Sequence, residues 1–372
     1  MDLQPALPSK RLVSIDALRG FDMLLICGVD AFFHQLNGKT GWAWVDTIAK
    51  QFEHPQWFGL TLYDFIFPVF LFIAGVSIPF SLSKALDRGV SKSELYKKAF
   101  VRMLILIALG MLDKNAPFPF FDWAQIRLGS VLGRIGIAGF VTVVLYLNFN
   151  YVKRLYIVGG ILVFYYACLM FLPVPGYGAG DLSFEGNLVG WIDRTFLPGR
   201  LLQGTYDELG IFTQLPAMCL TMLGAFAGEI LRNNSIEEKK KFFRLLLAGA
   251  VCFAIGLLWS LHFPIAKRLW SSSFILVTSG IAFFLMATFY GIIDILKIKK
   301  WSFFFVVIGM NSLTIYMVYR FVNFRFTSRM LFEGLYNHLD EKWYGVFESF
   351  GALVLVWCFL YFLYRKKIFF KI

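Results

Sequence analysis

A chain of 372 residues that is 58% hydrophobic and only 16% charged has more apolar surface than one water-soluble core hides, so lipid must solvate part of it. The net charge of +12 does not point to nucleic acid, because Lys and Arg gather in alternate loops between apolar stretches, the pattern that orients membrane proteins. Cys27, Cys168, Cys219, Cys252 and Cys358 all lie inside apolar runs without CxxC spacing, and there is no HExxH, which argues against a disulfide framework and a metal centre.

In chain order, apolar windows near 20 residues long fall at 15–33, 60–82, 97–112, 131–149, 154–172, 211–231, 243–262, 271–293, 302–323 and 345–364. They predict an all-α, polytopic membrane protein with about ten transmembrane helices, the whole of 1–372 forming a single transmembrane domain. The first window carries Asp16, Arg19 and Asp22 and no small-residue cleavage site, so it is expected to be retained rather than removed as a signal peptide. The third is short and fits a tilted or re-entrant segment. With the N-terminus in the cytoplasm, the inner segments 1–14, 83–98, 150–154, 232–244, 294–301 and 365–372 hold about 21 of the 36 Lys and Arg, against about 11 in outer loops. The outer segments 34–59 and 173–210 are long and rich in Trp, Gly, Pro and polar residues, and long loops gathered on one face commonly carry function.

Asp16, Arg19, Asp22, Asp30, Asp64, Arg102, Arg134 and Arg320 fall inside the windows. Each costs roughly a few kcal/mol in lipid unless it is paired or faces water. Asp16 and Arg19 share one helical face and form a natural pair. His54 stands just outside the second window, with Asp64 three helical turns deeper and Asp30 able to approach the same outer mouth. A carboxylate can hold an imidazole in one tautomer, as general-base chemistry requires. Intramembrane charges and spans containing Pro68, Gly75 and Pro79 also fit a secondary transporter or channel for a small polar solute, although no matching broken helices are evident in two halves.

Several motifs resemble those of the heparan-α-glucosaminide N-acetyltransferase family. Arg11-Leu-Val-Ser14-Ile-Asp16-Ala-Leu-Arg19-Gly20 is similar to the family's opening signature, and His54-Pro-Gln-Trp57-Phe-Gly59-Leu-Thr61-Leu-Tyr-Asp64-Phe-Ile-Phe67-Pro68 to its second. Val131-Leu-Gly-Arg134-Ile-Gly136, Ile192-Asp193-Arg194, Lys267-Arg-Leu-Trp270-Ser271 and Gly309-Met-Asn311-Ser312 follow in the same order. The resemblance implies a multi-pass enzyme of the cytoplasmic (inner) membrane, often a homodimer, that passes acetyl from cytosolic acetyl-CoA to an amino sugar on the other side. It implies that His54 is catalytic, with Asp30 beside it, either as the base of a direct transfer or as the carrier of an acetyl-histidine. Asp64 or Asp30 would orient the ring. Arg134 and Arg102, with Lys267 and Ser271, are candidates for holding acetyl-CoA, whose phosphates call for cations. Trp57, Asp193, Arg194 and Asn311 are candidates for the sugar, and Asn311 and Ser271 also for hydrogen bonds to the thioester oxygen. Phe58 and Asp30 replace the Asn and the amide of many relatives, and Gly133 and Arg268 replace a common Gln and Asn.

Overall fold

The computed structural model describes residues 12–370, so Arg11 and most of the expected inner segment 1–14 lie outside the described residues. The chain starts in α1 (Val13–Leu24), leaves helical geometry at Cys27 and Gly28, and resumes in α2 (Asp30–Leu36). Gly28 sits at φ 105, where an L side chain is strained, so this break is written into the sequence. The Cys27 carbonyl freed by the break accepts the Tyr319 hydroxyl at 2.5 Å, which keeps the interrupted backbone satisfied within the protein.

Next come α3 (Ala43–Lys50), α4 (Ile66–Leu86), α5 (Lys92–Asn115), α6 (Val131–Asn148) and α7 (Tyr151–Phe171). Polar residues at the loop ends start several of these helices. Ser91, Ser130 and Asn150 accept the backbone N–H three residues on, at 3.2, 3.1 and 2.9 Å, and each such cap contributes about 1 kcal/mol. An outer lobe follows, made of a two-stranded antiparallel pair (Pro173–Val174 with Gly178–Ala179) and the short α8 (Leu188–Phe196). A Pro-Gly-Tyr-Gly turn folds the chain back on itself to make this pair, and the chain is otherwise mostly helical. The remaining helices are α9 (Gln214–Arg232), α10 (Glu238–Ser260), α11 (Ser272–Phe289), α12 (Ser302–Gly309), α13 (Ser312–Phe321), α14 (Phe324–Tyr336) and α15 (Tyr344–Arg365).

Among the described residues, seven helices are long and apolar enough to cross a membrane, and α12 with α13, bent by 66°, makes an eighth. The windows expected at 15–33 and 97–112 are also helical, but the first is broken at Cys27–Gly28 and the second, α5, carries charges at both ends. Two of the helices are interrupted, α1 at Cys27–Gly28 and α12 at the bend before α13, and they pack on one another. A Cβ on Gly20 would collide with the Phe305 carbonyl, and one on Gly309 with that of Asp16. The same close approach joins α4 to α9, where a Cβ on Gly75 would strike the Thr221 carbonyl and one on Gly224 that of Phe72. In lipid the hydrophobic effect does not drive helices together, so small residues that let backbones meet supply the contact.

Gly75→Ala should therefore destabilise the bundle by about 1–3 kcal/mol. Gly159→Ala, where nothing lies within 4 Å of the new methyl, should be neutral or stabilising by up to about 1 kcal/mol. Thermal unfolding in detergent compares the two.

Candidate active site

The loop between α3 and α4 is held by Thr61 and Asp64. Asp64 Oδ2 accepts the Thr61 N–H at 3.0 Å and the Thr61 hydroxyl at 3.1 Å, which fixes the turn Leu62–Asp64 at the start of α4. Asp64 is fully buried, and its other oxygen, Oδ1, lies 2.7 Å from His54 Nδ1. An ionised carboxylate only accepts, so Nδ1 carries the proton and the Nε2 lone pair is left open. The His54 side chain is 40% exposed, which leaves that lone pair accessible.

Two further groups complete the surroundings. Gly59 N–H donates to the Ile265 carbonyl at 2.9 Å, and this ties the His54 loop to the turn before α11. That turn brings Lys267 Nζ to 3.4 Å from Asp64 Oδ1 and to 3.3 Å from both ring nitrogens of His54. The Tyr63 ring lies 4.9 Å from the imidazole, and its hydroxyl donates to Asp30 Oδ2 at 3.0 Å. Asp64 is thus the carboxylate on the histidine, whereas Asp30 meets the ring through Tyr63. Lys267, grouped by its sequence with the acetyl-CoA residues, stands at the His54–Asp64 pair. Tyr63 went unassigned in the sequence, although its place beside Asp64 in the second signature was the available signal.

The other sequence candidates lie in different neighbourhoods. Trp57 donates from Nε1 to the Leu182 carbonyl at 2.7 Å and meets Tyr206 and Phe184 edge-on, each at 5.6 Å. It therefore pins the outer lobe beside the His54 loop. Asp193 is fully buried and accepts the backbone N–H groups of Asp207 and Ile211, both at 3.1 Å. Burial pushes its carboxyl up to about 6. Arg194 donates to the carbonyls of Thr205 and Glu185 at 2.7 and 3.2 Å. Both residues fold the lobe. Ser271 caps α11, accepting from Phe274 N at 3.4 Å and donating to the Pro264 carbonyl at 2.8 Å, which shapes the turn that carries Lys267.

Arg134 is also fully buried. It donates to the Glu208 carbonyl at 2.8 Å and to the Thr213 hydroxyl, with its guanidinium 4.2 Å over the Trp270 ring. Arg102 is exposed on α5. Asn311, at the bend between α12 and α13, donates to the Ile368 carbonyl at 3.2 Å. Ile368 follows the C-terminal end of α15, whereas Gln35 of α2 lies against Gly345 at its start. Asn311 therefore belongs to the end of the bundle away from His54.

A buried ion pair that sequence inspection gave no sign of braces the lobe. Arg127 holds Asp207 through Nε at 2.6 Å and Nη2 at 2.8 Å, and Asp207 also accepts the N–H groups of Leu202 and Leu209 at 3.2 and 2.9 Å.

A helical membrane protein whose one exposed, carboxylate-bonded imidazole opens at the end of its spans has the parts of a base or nucleophile acting at the membrane boundary. Two curated relatives are named as N-acetyltransferases. The human heparan-alpha-glucosaminide N-acetyltransferase (Homo sapiens) is 29% identical over 435 aligned positions, covering 100% of this chain and 62% of the human protein. The mouse protein of the same name (Mus musculus) is 27% identical, over 98% of this chain and 61% of its own length. The chain thus spans about three-fifths of the length of these curated relatives. A family model described as a domain of unknown function, DUF5009, matches residues 11–117. The chain is similar to these two N-acetyltransferases over 98% or more of its length, in line with the resemblance of its ordered motifs.

Removing one partner of the buried pair, as in Arg127→Met, should cost about 3–5 kcal/mol, most of it regained in Arg127→Met/Asp207→Met; thermal unfolding reads both. Asp193 has a folded value near 6, above the usual value for an unfolded carboxylate. Its contribution is therefore complete below about pH 4 and is lost as pH rises through 6. Limited proteolysis of the lobe should become faster across that interval, and Asp193→Asn should remove that dependence.

Proposed function

We propose that this chain is a transmembrane N-acyltransferase that moves acetyl from cytosolic acetyl-CoA to an amino sugar of the glucosamine type on the far side of the membrane. The observation that carries the reading is the bond from His54 Nδ1 to the buried Asp64, in a chain whose relatives are named as N-acetyltransferases acting on heparan-α-glucosaminide. Ten crossings with a cytoplasmic N-terminus, in a bacterial-type inner membrane, belong to the same proposal. The weight of Lys and Arg in alternate loops supports this orientation. A homodimer is the assembly that the resemblance suggests.

An amine attacks a thioester only when it is unprotonated. His54 Nε2 takes the N–H proton as the amine nitrogen bonds to the carbonyl carbon, and the π electrons move onto oxygen. The C–S bond then breaks, and the CoA thiolate takes the proton back from Nε2. In the two-step form Nε2 itself bonds to the carbonyl carbon, the thiolate leaves, and the sugar amine later displaces the imidazole. Asp64 serves both routes by holding Nδ1–H in place and offsetting the positive charge that develops on the ring. Arg102, exposed on α5, is the better placed of the two arginines to reach the CoA phosphates, because Arg134 is occupied beneath the lobe. Trp57 would line the approach of the sugar.

A secondary transporter is the second reading, and the two interrupted helices packed on each other favour it. Reconstitution in proteoliposomes separates the two. With acetyl-CoA on one side and glucosamine on the other, the intact chain should form N-acetylglucosamine, and His54→Ala should lower the rate by at least about 100-fold. Sugar uptake that needs no acetyl-CoA and survives His54→Ala would establish the transporter instead. Labelled acetyl retained on the protein without acceptor selects the two-step route.

A further inference from the structure

We propose that Lys267 is a third catalytic residue, whose ammonium stabilises the oxyanion formed when the acetyl thioester is attacked beside His54. The inference rests on the acyltransferase reading above and assigns the one cation at its centre. The two ring nitrogens of an imidazole flank a single carbon. An ammonium 3.3 Å from each and lying in the ring plane would collide with the carbon between them. The nitrogen of Lys267 therefore stands off the ring plane. It leaves the Nε2 lone pair free in that plane and places a positive charge beside the point where a carbonyl carbon would be attacked.

The lysine is not needed to satisfy the carboxylate. Asp64 already receives His54 Nδ1–H at 2.7 Å and two donors from Thr61 at 3.0 and 3.1 Å. Lys267 has three N–H groups and meets only one oxygen among the described residues, Asp64 Oδ1 at 3.4 Å. Its other polar neighbours are the two ring nitrogens, approached off the ring plane. N–H groups thus remain to point toward an incoming oxygen. The side chain is only 15% exposed, so its charge is less screened than at an open surface. The backbone position is fixed as well, since Gly59 N–H holds the Ile265 carbonyl at 2.9 Å and Ser271 closes the turn against the Pro264 carbonyl at 2.8 Å. A donor held in place before reaction begins is what oxyanion stabilisation requires, because no reorganisation is left for the transition state.

As the nucleophile bonds to the carbonyl carbon, the carbonyl π pair moves onto oxygen and is held by Lys267. When that pair returns, the C–S bond breaks and the thiolate leaves with the proton carried by Nε2. Lys267 stays charged throughout and exchanges no proton.

The test uses the full chain in proteoliposomes with acetyl-CoA and glucosamine, comparing Lys267→Met, Lys267→Gln, Lys267→Arg and His54→Ala. Loss of one oxyanion donor should lower kcat by about 100- to 1000-fold in the Met and Gln variants, with KM for both substrates within about threefold of the parent. The Arg variant, which restores the charge, should recover at least about tenfold over Met. Unfolding midpoints in detergent identify a variant that fails to fold, and the Met and Gln changes then substitute for each other. A kcat within about threefold of the parent in the folded Met or Gln variant, or a raised KM with kcat unchanged, overturns the role of Lys267 while an inactive His54→Ala leaves the acyltransferase reading in place. Full activity in His54→Ala overturns that reading itself.

Discussion

A carboxylate removed from water must be met by donors, and in this protein Asp64 is the buried carboxylate around which the candidate site is assembled. Its two oxygens receive Thr61, His54 and Lys267, contributed by the start of α4, the loop before it and the turn before α11. The first two are neighbours in sequence, whereas Lys267 lies 213 residues from His54, and Asp64 is the point at which they meet. The same demand selects the imidazole tautomer, because an ionised acceptor leaves Nδ1 only the role of donor. A structural need and a chemical one are met by the same hydrogen bond.

The helices that position this point rely on the absence of side chains. α4, which follows the turn ending at Asp64, lies against α9 with backbone in contact with backbone at Gly75 and Gly224, and α1 meets α12 in the same way at Gly20 and Gly309. Where lipid surrounds the protein, apolar side chains gain little by leaving it for one another, so close backbone approach does the joining. The two interrupted helices meet at such a seam. Each break frees polar backbone that must be answered locally, as Tyr319 answers the Cys27 carbonyl.

The outer lobe shows a different solution, closer to that of a soluble protein. The Arg127–Asp207 pair, the Asp193 carboxylate and the Arg134 guanidinium each hold backbone of the 205–213 segment. Several residues with charges suited to a ligand are therefore committed to folding the lobe that stands beside His54. This arrangement leaves Trp57, Tyr206 and Phe184 as an aromatic cluster joining the lobe to the loop that carries His54.

Much was legible in the residues alone. Hydropathy marked the long apolar helices, seven of which are long and apolar enough among the described residues to cross a membrane. The second signature named His54, Thr61 and Asp64, but helical spacing set Asp64 about three turns below His54, whereas a loop and a short turn bring the two side chains to 2.7 Å. What the sequence had no means of stating was which distant charges join that turn. Lys267 and Arg134 look alike as cations in apolar surroundings. Only the packing of α4, α6 and the α11 turn sets the first against His54 and seals the second beneath the outer lobe. Local spacing determines helices and caps through the backbone geometry of a few residues, whereas partners 80 or 213 residues apart, as in Arg127–Asp207 and Lys267–His54, are chosen by the three-dimensional path of the whole chain.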